Sequence, residues 1–164
     1  MPISNPQEKF VHELCLVYDT EHRFLEAQQE MIQQASDEHL RCMLQNHANQ
    51  TQRQVQNLEQ VFSRLGQEPR RTTSQAAQGL VADGQTSLQE TESGPTADLL
   101  ITGAQAKVEH FEIACYKGLV TGAQQMGQDQ IVDLLKQNLL QEQETARIVE
   151  QSIPQLEQKA MQAA

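Results

Sequence analysis

The stretch Lys107-Val108-Glu109-His110-Phe111-Glu112-Ile113-Ala114-Cys115-Tyr116 decides how this chain is read. It contains neither Gly nor Pro, and its apolar residues recur at helical spacing, so it predicts the middle of a helix. Glu109, Glu112 and Tyr116 stand at i, i+3 and i+7 and share one face of that helix. A core helix should be greasy there, yet this one carries two carboxyl groups. Buried carboxylates are costly unless they are paired, hydrogen-bonded or bound to a cation. The remaining sequence is therefore read for the groups that would satisfy them.

At 164 residues the chain is long enough for one domain with a sizeable core. Aromatic residues make up 4%, Trp is absent, and Gln, Glu, Leu and Ala dominate, with 28 Gln in all. That composition favours long helices over strands. The net charge of -10 excludes nucleic acid and anionic membrane as partners, because both need basic patches. Cys15, Cys42 and Cys115 form no close pair and no CxxC pattern, which fits a reducing cytoplasm and disfavours a zinc knuckle. Met1–Phe10 has no apolar core of a signal peptide, and no apolar run is long enough to span a bilayer. Gly-rich phosphate loops, a Ser-His-Asp order and a GxSxG elbow are all missing. Cys115 and His110 lie five residues apart, on different helix faces, and so make a poor nucleophile pair.

Four long helices follow from the periodicity. Residues 1–7, with Pro2 and Pro6, are expected as an irregular lead, and residues 159–164 as a tail. A first helix over about 8–34 carries an a/d-like stripe from Phe10 to Ile32. Ser36 or Asp37 is placed to cap a second helix over about 37–65, which Gly66 and Pro69 end. A short amphipathic helix is expected near 75–89, inside a long connection over 66–96. Thr96 is expected to cap the next long helix, about 97–125, and Gly127 separates it from the last, about 128–158. Pro154 is expected to kink or fray that last helix. Two short connections make two antiparallel hairpins, and the long one returns the chain along the bundle between them.

Each stripe is apolar at its ends and polar at its centre. The central groups are Glu21, His47 with Gln50 and Gln54, Glu109 with Glu112, and Glu142. Midpoints of antiparallel helices of equal length lie at similar heights, so these groups are expected to converge in one layer. Carboxylates with imidazole inside a helix bundle are a ligand set for iron or manganese ions, and such ions offset the buried charge. Glu21-His22 also echoes Glu109-His110, as a two-fold repeat of hairpins would. His12, His22 and His39 are read as surface residues, and His110 as turned away from the centre.

These residues resemble the ferritin-like YciE/YciF family of bacterial stress proteins. The resemblance runs from about Val11 to Leu156. Its carriers are Leu16-Val17-Tyr18-Asp19-Thr20-Glu21-His22, His47-Ala48-Asn49-Gln50-Thr51 followed by Gln54-Val55, and Leu58-Glu59-Gln60-Val61-Phe62. Gly79-Leu80-Val81 and Lys107–Ala114 complete them, and the last is the most specific. The resemblance implies an all-α, ferritin-like four-helix bundle with a long crossover containing a short helix, a homodimer, and a di-metal site. Glu21, His47, Glu109, Glu112 and Glu142 match positions of the family pattern. The chain departs from that pattern at Asn49, Gln50 and Gln78, where relatives tend to have Glu, and at Leu140-Gln141-Glu142, where they tend to have three Glu. Gln50 joins the candidate ligands through its amide oxygen. The expected function is a stress-associated metal protein of redox or peroxide character. The alternative is a metal-free interaction or structural protein that keeps the fold.

Overall fold

The computed structural model describes residues 3–163. Met1 and Pro2 of the expected lead, and Ala164 of the expected tail, lie outside the described residues. Five helices follow in order: α1 (Pro6–Gln34), α2 (Glu38–Arg64), α3 (Gln75–Gln89), α4 (Pro95–Gln125) and α5 (Asp129–Ala163). The described residues contain no strand. The four long helices are α1, α2, α4 and α5, and α3 is the short helix of the crossover.

Local chemistry sets the helix ends. Asn5 caps α1 by accepting from the Glu8 N–H, with Pro6 at the first helical position, where its missing N–H costs nothing. Asp37 caps α2 through the Leu40 N–H at 2.9 Å. Gly66 and Gly127 adopt φ of 65° and 64° just past α2 and α4. There Gln67 N–H bonds to Phe62 O, and Gln128 N–H to Ala123 O, which closes both helices in a left-handed cap. Two boundaries differ from the expectation. Gly94, not Thr96, precedes α4, because Pro95 already occupies the first helical position. The last helix runs through Pro154 to Ala163, so there is no separate tail from 159. Pro154 is exposed, and the helix continues beyond it to bury Leu156 and Ala160.

The helices are wired up, down, down, up. Phe10 lies beside Gly122 and Ser36 beside Asp98, so α1 and α4 run antiparallel. Arg64 meets Gln130 and Asp37 meets Lys159, so α2 and α5 are antiparallel too. Hence α2 and α4 run the same way, as the long crossover requires. At Gly122 a Cβ would come within 2.9 Å of the Phe10 ring, so glycine admits the close approach of α1 to α4.

The inward positions repeat in strict heptads. Residues 10, 14, 17, 21, 24 and 28 of α1 are all buried, as are 40, 44, 47, 51, 54, 58 and 61 of α2. In α4 the series is 98, 102, 105, 109, 112, 116, 119 and 123; in α5 it is 131, 135, 138, 142, 145 and 149. Such a 3.5-residue spacing keeps one seam facing its neighbours along the whole bundle. Phe10, Leu14, Leu58, Phe62, Leu119 and Leu135 fill one end. Ala35, Leu40, Leu44, Ile101 and Leu156 fill the other. Between these two apolar plugs the same seam is polar.

Two buried aspartates fasten the connections. Asp98 accepts from the Ser36 N–H (2.7 Å), the Ser36 hydroxyl (2.5 Å) and the Asp37 N–H (3.0 Å), tying the α1–α2 turn to the start of α4. Asp19 holds the crossover against α1. It accepts from Arg23 (2.6 Å), Arg71 (2.8 Å) and the Ser74 N–H (2.9 Å). Helix α3 itself buries only Ala77. Replacing Asp98 by Ala strands the turn's N–H groups, and we expect a loss of about 2 kcal/mol in urea unfolding. Asp98→Asn should cost less, because it keeps one acceptor. Equal stability of Asp98→Ala and the parent would remove Asp98 as the fastening of that turn.

Candidate metal centre

The polar layer is built from four helices. Glu21 comes from α1, His47 from α2, Glu109 and Glu112 from α4, and Glu142 from α5. All five are no more than 2% exposed. One ligand atom from each of His47, Glu109, Glu112 and Glu142 lies within 4.8 Å of the others. His47 Nε2 is 3.0 Å from Glu109 Oε1, without the alignment of a hydrogen bond.

Glu21 stands beside this group rather than inside the four-residue set. Its charge is felt by Glu112, and it feels that of Glu142. Gln50 lies on the other side of the imidazole. Its Oε1 is 3.4 Å from His47 Nδ1, and Thr145 Oγ1 is the same distance from both groups. The structure thus places Gln50 where it orients the ring, leaving Nε2 to face the carboxylates. Gln50, His47 and Thr145 also line an open depression of about 530 Å3 between α2 and α5, so His47 is the part of the layer nearest that surface.

Neutral donors hold the carboxylates by one oxygen each. Tyr116 Oη donates to Glu21 Oε1, Gln105 Nε2 to Glu109 Oε1, and Gln54 Nε2 to Glu142 Oε1. Asn138 Nδ2 donates to Tyr116 Oη (3.0 Å) and to the Gln54 carbonyl (3.2 Å), and Asn57 donates to Asn138 Oδ1 (2.7 Å). The other oxygens, Glu21 Oε2, Glu109 Oε2 and Glu142 Oε2, have no partner among the described residues, nor does Glu112 Oε1. Buried polar atoms are seldom left so. Four orphaned carboxylate oxygens and an unpaired imidazole nitrogen in one dry layer fit a cation. The donors are hard oxygens and an imidazole, with no thiolate, which suits iron or manganese.

Electrostatics agree with the geometry. Burial raises Glu21 and Glu112 well above the usual carboxyl range, and neighbouring carboxylates push them further, chiefly Glu142 on Glu21 and Glu21 on Glu112. Glu142 is raised by burial and then by Glu109, and Glu109 by burial against the pull of its hydrogen bonds. Burial also raises the Tyr116 phenol, with Glu21 second, so it stays a donor. The Cys115 thiol is pushed up to about 11 by burial, and His110 is exposed and paired to Glu150 at 2.6 Å, so neither joins the chemistry. His12 and His39 are exposed as expected, whereas His22 is half-buried with its ring edge against Tyr18.

The sequence reading passed over Gln28, Gln105 and Asn138. Their signal was the heptad itself: Gln28 is seven residues after Glu21, and Gln105 and Asn138 are each four before a glutamate. Amides in a Gln-rich chain hide among surface amides unless the seam is followed through them.

A family described as "Domain of unknown function (DUF892)" matches residues 5–162. Protein YciF of Escherichia coli (strain K12) is 30% identical over 146 residues, 88% of each chain. The chain belongs to the YciE/YciF family of stress proteins. The solved structure of the E. coli stress protein YciF superposes with a TM-score of 0.90 at 27% identity, covering 95% of this chain and 99% of that one. A suggested structural protein from Rhodopseudomonas palustris, YcfI, matches with a TM-score of 0.88 at 32% identity, covering 90% and 94%. The expected all-α bundle is thus the fold of the YciE/YciF family. Among the described residues no helix is long and apolar enough to cross a membrane.

The charge arrangement gives the metal-free protein a distinctive pH dependence. The raised glutamates favour the fold while protonated. Their contribution is complete below their unfolded pKa of about 4.3 and is lost as pH rises through the folded values. Asp19 acts in the opposite sense. Its own burial is outweighed by Ser74, Arg23 and Arg71, which hold it low, so its contribution is lost only as pH falls below about 4. We therefore expect the melting temperature in a chelator to fall steadily from mildly acidic to alkaline pH. Glu112→Gln should flatten that slope and raise the alkaline melting temperature. A flat wild-type profile would show that the carboxyl groups do not share one dry layer.

Proposed function

We propose that this YciE/YciF protein is a metal-binding stress protein whose bundle holds iron or manganese on His47, Glu109, Glu112 and Glu142, with Glu21 beside them. The observation that carries the reading is the convergence of those four ligand atoms within 4.8 Å, all on groups with an unpartnered atom. A general di-metal bundle site uses four carboxylates and two imidazoles. This chain offers four carboxylates and one imidazole, which suits one or two ions.

The residues divide the work. Glu109 and Glu112 stand one helical turn apart on α4, so a single helix fixes two ligands at once. Gln105, Gln54 and Tyr116 each restrain one oxygen of a glutamate and leave the other to bind. The apolar plugs at both ends exclude water from the layer. A bound iron or manganese would supply one-electron redox chemistry towards an oxidant such as peroxide. Tyr116 keeps its proton against Glu21, and Asn138 and Asn57 extend that hydrogen-bonded row outwards. The working form in this reading is a cytoplasmic homodimer. The three free cysteines suit a reducing compartment, and light scattering at micromolar concentration tests the dimer.

Metal analysis and melting curves test the site. Added Fe(II) or Mn(II) at a hundredfold excess over Kd should stabilise the fold by about 2.7 kcal/mol, on the order of 5–10 °C. Combining Glu109→Ala with Glu142→Ala should abolish both the bound metal and the shift. Without metal, the same pair should be neutral or stabilising, because it removes buried repulsion. A wild type that neither carries metal nor shifts with it would leave the metal-free structural reading.

A further inference from the structure

A second cavity, of about 210 Å3, lies under the crossover helix, between α1, α3 and α4. Its walls are mostly apolar, with Phe24 and Met31 from α1, Leu80 and Leu88 from α3, and Ala104 and Val108 from α4. For scale, an apolar cavity of roughly 150 Å3 suffices to hold benzene. The polar lining is of two kinds: Glu30, Gln34, Gln85 and Gln89 are exposed, whereas the amides of Gln28 and Gln105 are buried, each 1% exposed.

Each amide is half satisfied. Gln28 Oε1 faces the Thr51 hydroxyl at 3.5 Å, and Gln105 Nε2 is committed to Glu109. That leaves Gln28 Nε2, a donor, and Gln105 Oε1, an acceptor, with no partner among the described residues. The two buried amides lining this cavity therefore carry one unsatisfied donor and one unsatisfied acceptor.

We propose that this cavity is a binding site for a small neutral amphiphile ending in an O–H group. The ligand oxygen accepts from Gln28 Nε2, its hydrogen is donated to Gln105 Oε1, and its chain lies along the Phe24, Leu80 and Val108 wall. The carboxyl groups around the cavity disfavour an anionic head, and its buried donor disfavours a cationic one. A carboxylate head would meet the acceptor Gln105 Oε1, with Glu109 directly behind it and Glu30 also in the lining. An ammonium head would meet the donor Gln28 Nε2 and could not satisfy it. An alcohol-type O–H satisfies both atoms at once. Helix α3 buries a single residue and is latched to α1 by Gln85 donating to Glu30 at 2.8 Å, so the cover of the cavity is lightly held. The site abuts the metal centre through Gln105 but does not depend on metal, so its test is run on protein treated with chelator.

Calorimetry and melting curves with 1-hexanol, hexanoate and hexylammonium decide the matter. Saturable one-to-one binding of 1-hexanol is expected, with the two charged probes at least tenfold weaker. Ala104→Leu, which fills the cavity from a half-buried position, should abolish binding while leaving the helical circular dichroism intact. Gln28→Leu should weaken 1-hexanol at least tenfold and erase the preference for it. No saturable binding of 1-hexanol, equal binding of hexanoate, or full binding by a folded Ala104→Leu protein would each overturn the proposal. Loss of metal binding in Glu142→Ala alone, with 1-hexanol binding retained, would separate this site from the metal centre.

Discussion

Like charges that cannot all be ionised together in a dry layer set the terms for this molecule. Glu21, Glu109, Glu112 and Glu142 are buried between two apolar plugs, and every one has its ionisation suppressed by its surroundings. A layer of that kind is stable only if protons or a cation supply the missing positive charge. The flanking leucines and phenylalanines are what make the requirement strict, because they keep solvent from relaxing it. Removing the plugs would do more to change these glutamates than altering any one donor beside them.

The chain contains buried carboxylates of two kinds, and the contrast separates structure from site. Asp19 and Asp98 have cationic or N–H donors on both oxygens and fasten one segment to another. The four glutamates have a neutral donor on one oxygen at most, and each keeps another oxygen unpartnered. A carboxylate kept for architecture is finished by its neighbours, whereas these are left open towards one another. All six groups have 2% exposure or less, and what separates them is the partners on their oxygens.

Much of this was legible in the sequence because the seam follows heptads. Phe10, Leu14, Val17, Glu21 and Phe24 fix a face before any neighbour is known, and the Lys107–Tyr116 stretch places two carboxyls on such a face. Matching the helix midpoints brings His47, Glu109, Glu112 and Glu142 together, with Glu21 beside them rather than inside the group. The role of Gln50 was not legible, because periodicity gives a face but not which nitrogen of His47 a neighbour addresses. Asp19 and Asp98 were missed for a related reason. Apart from Arg23, one turn along α1 from Asp19, their partners lie 52 to 62 residues away in segments without regular spacing, so no local pattern announces the fastening. The extension of the last helix from 158 to Ala163 was also hidden, since the burial of Ala160 beyond Pro154 shows only in the packed bundle.

The up, down, down, up wiring also bears on how the chain assembles. The α1–α2 and α4–α5 hairpins each join neighbours through a short turn, so their contacts are local and form without a large loop-closure cost. Neither hairpin owns the polar layer. The first contributes Glu21 and His47, the second Glu109, Glu112 and Glu142, and the crossover over 65–94 keeps them on one chain. The layer is therefore complete only when both hairpins are packed together. Three of the four glutamates already face one another within the α4–α5 hairpin, and packing against α1 and α2 adds Glu21 and shuts out water, so positive charge reaching the seam favours the packing of one hairpin on the other.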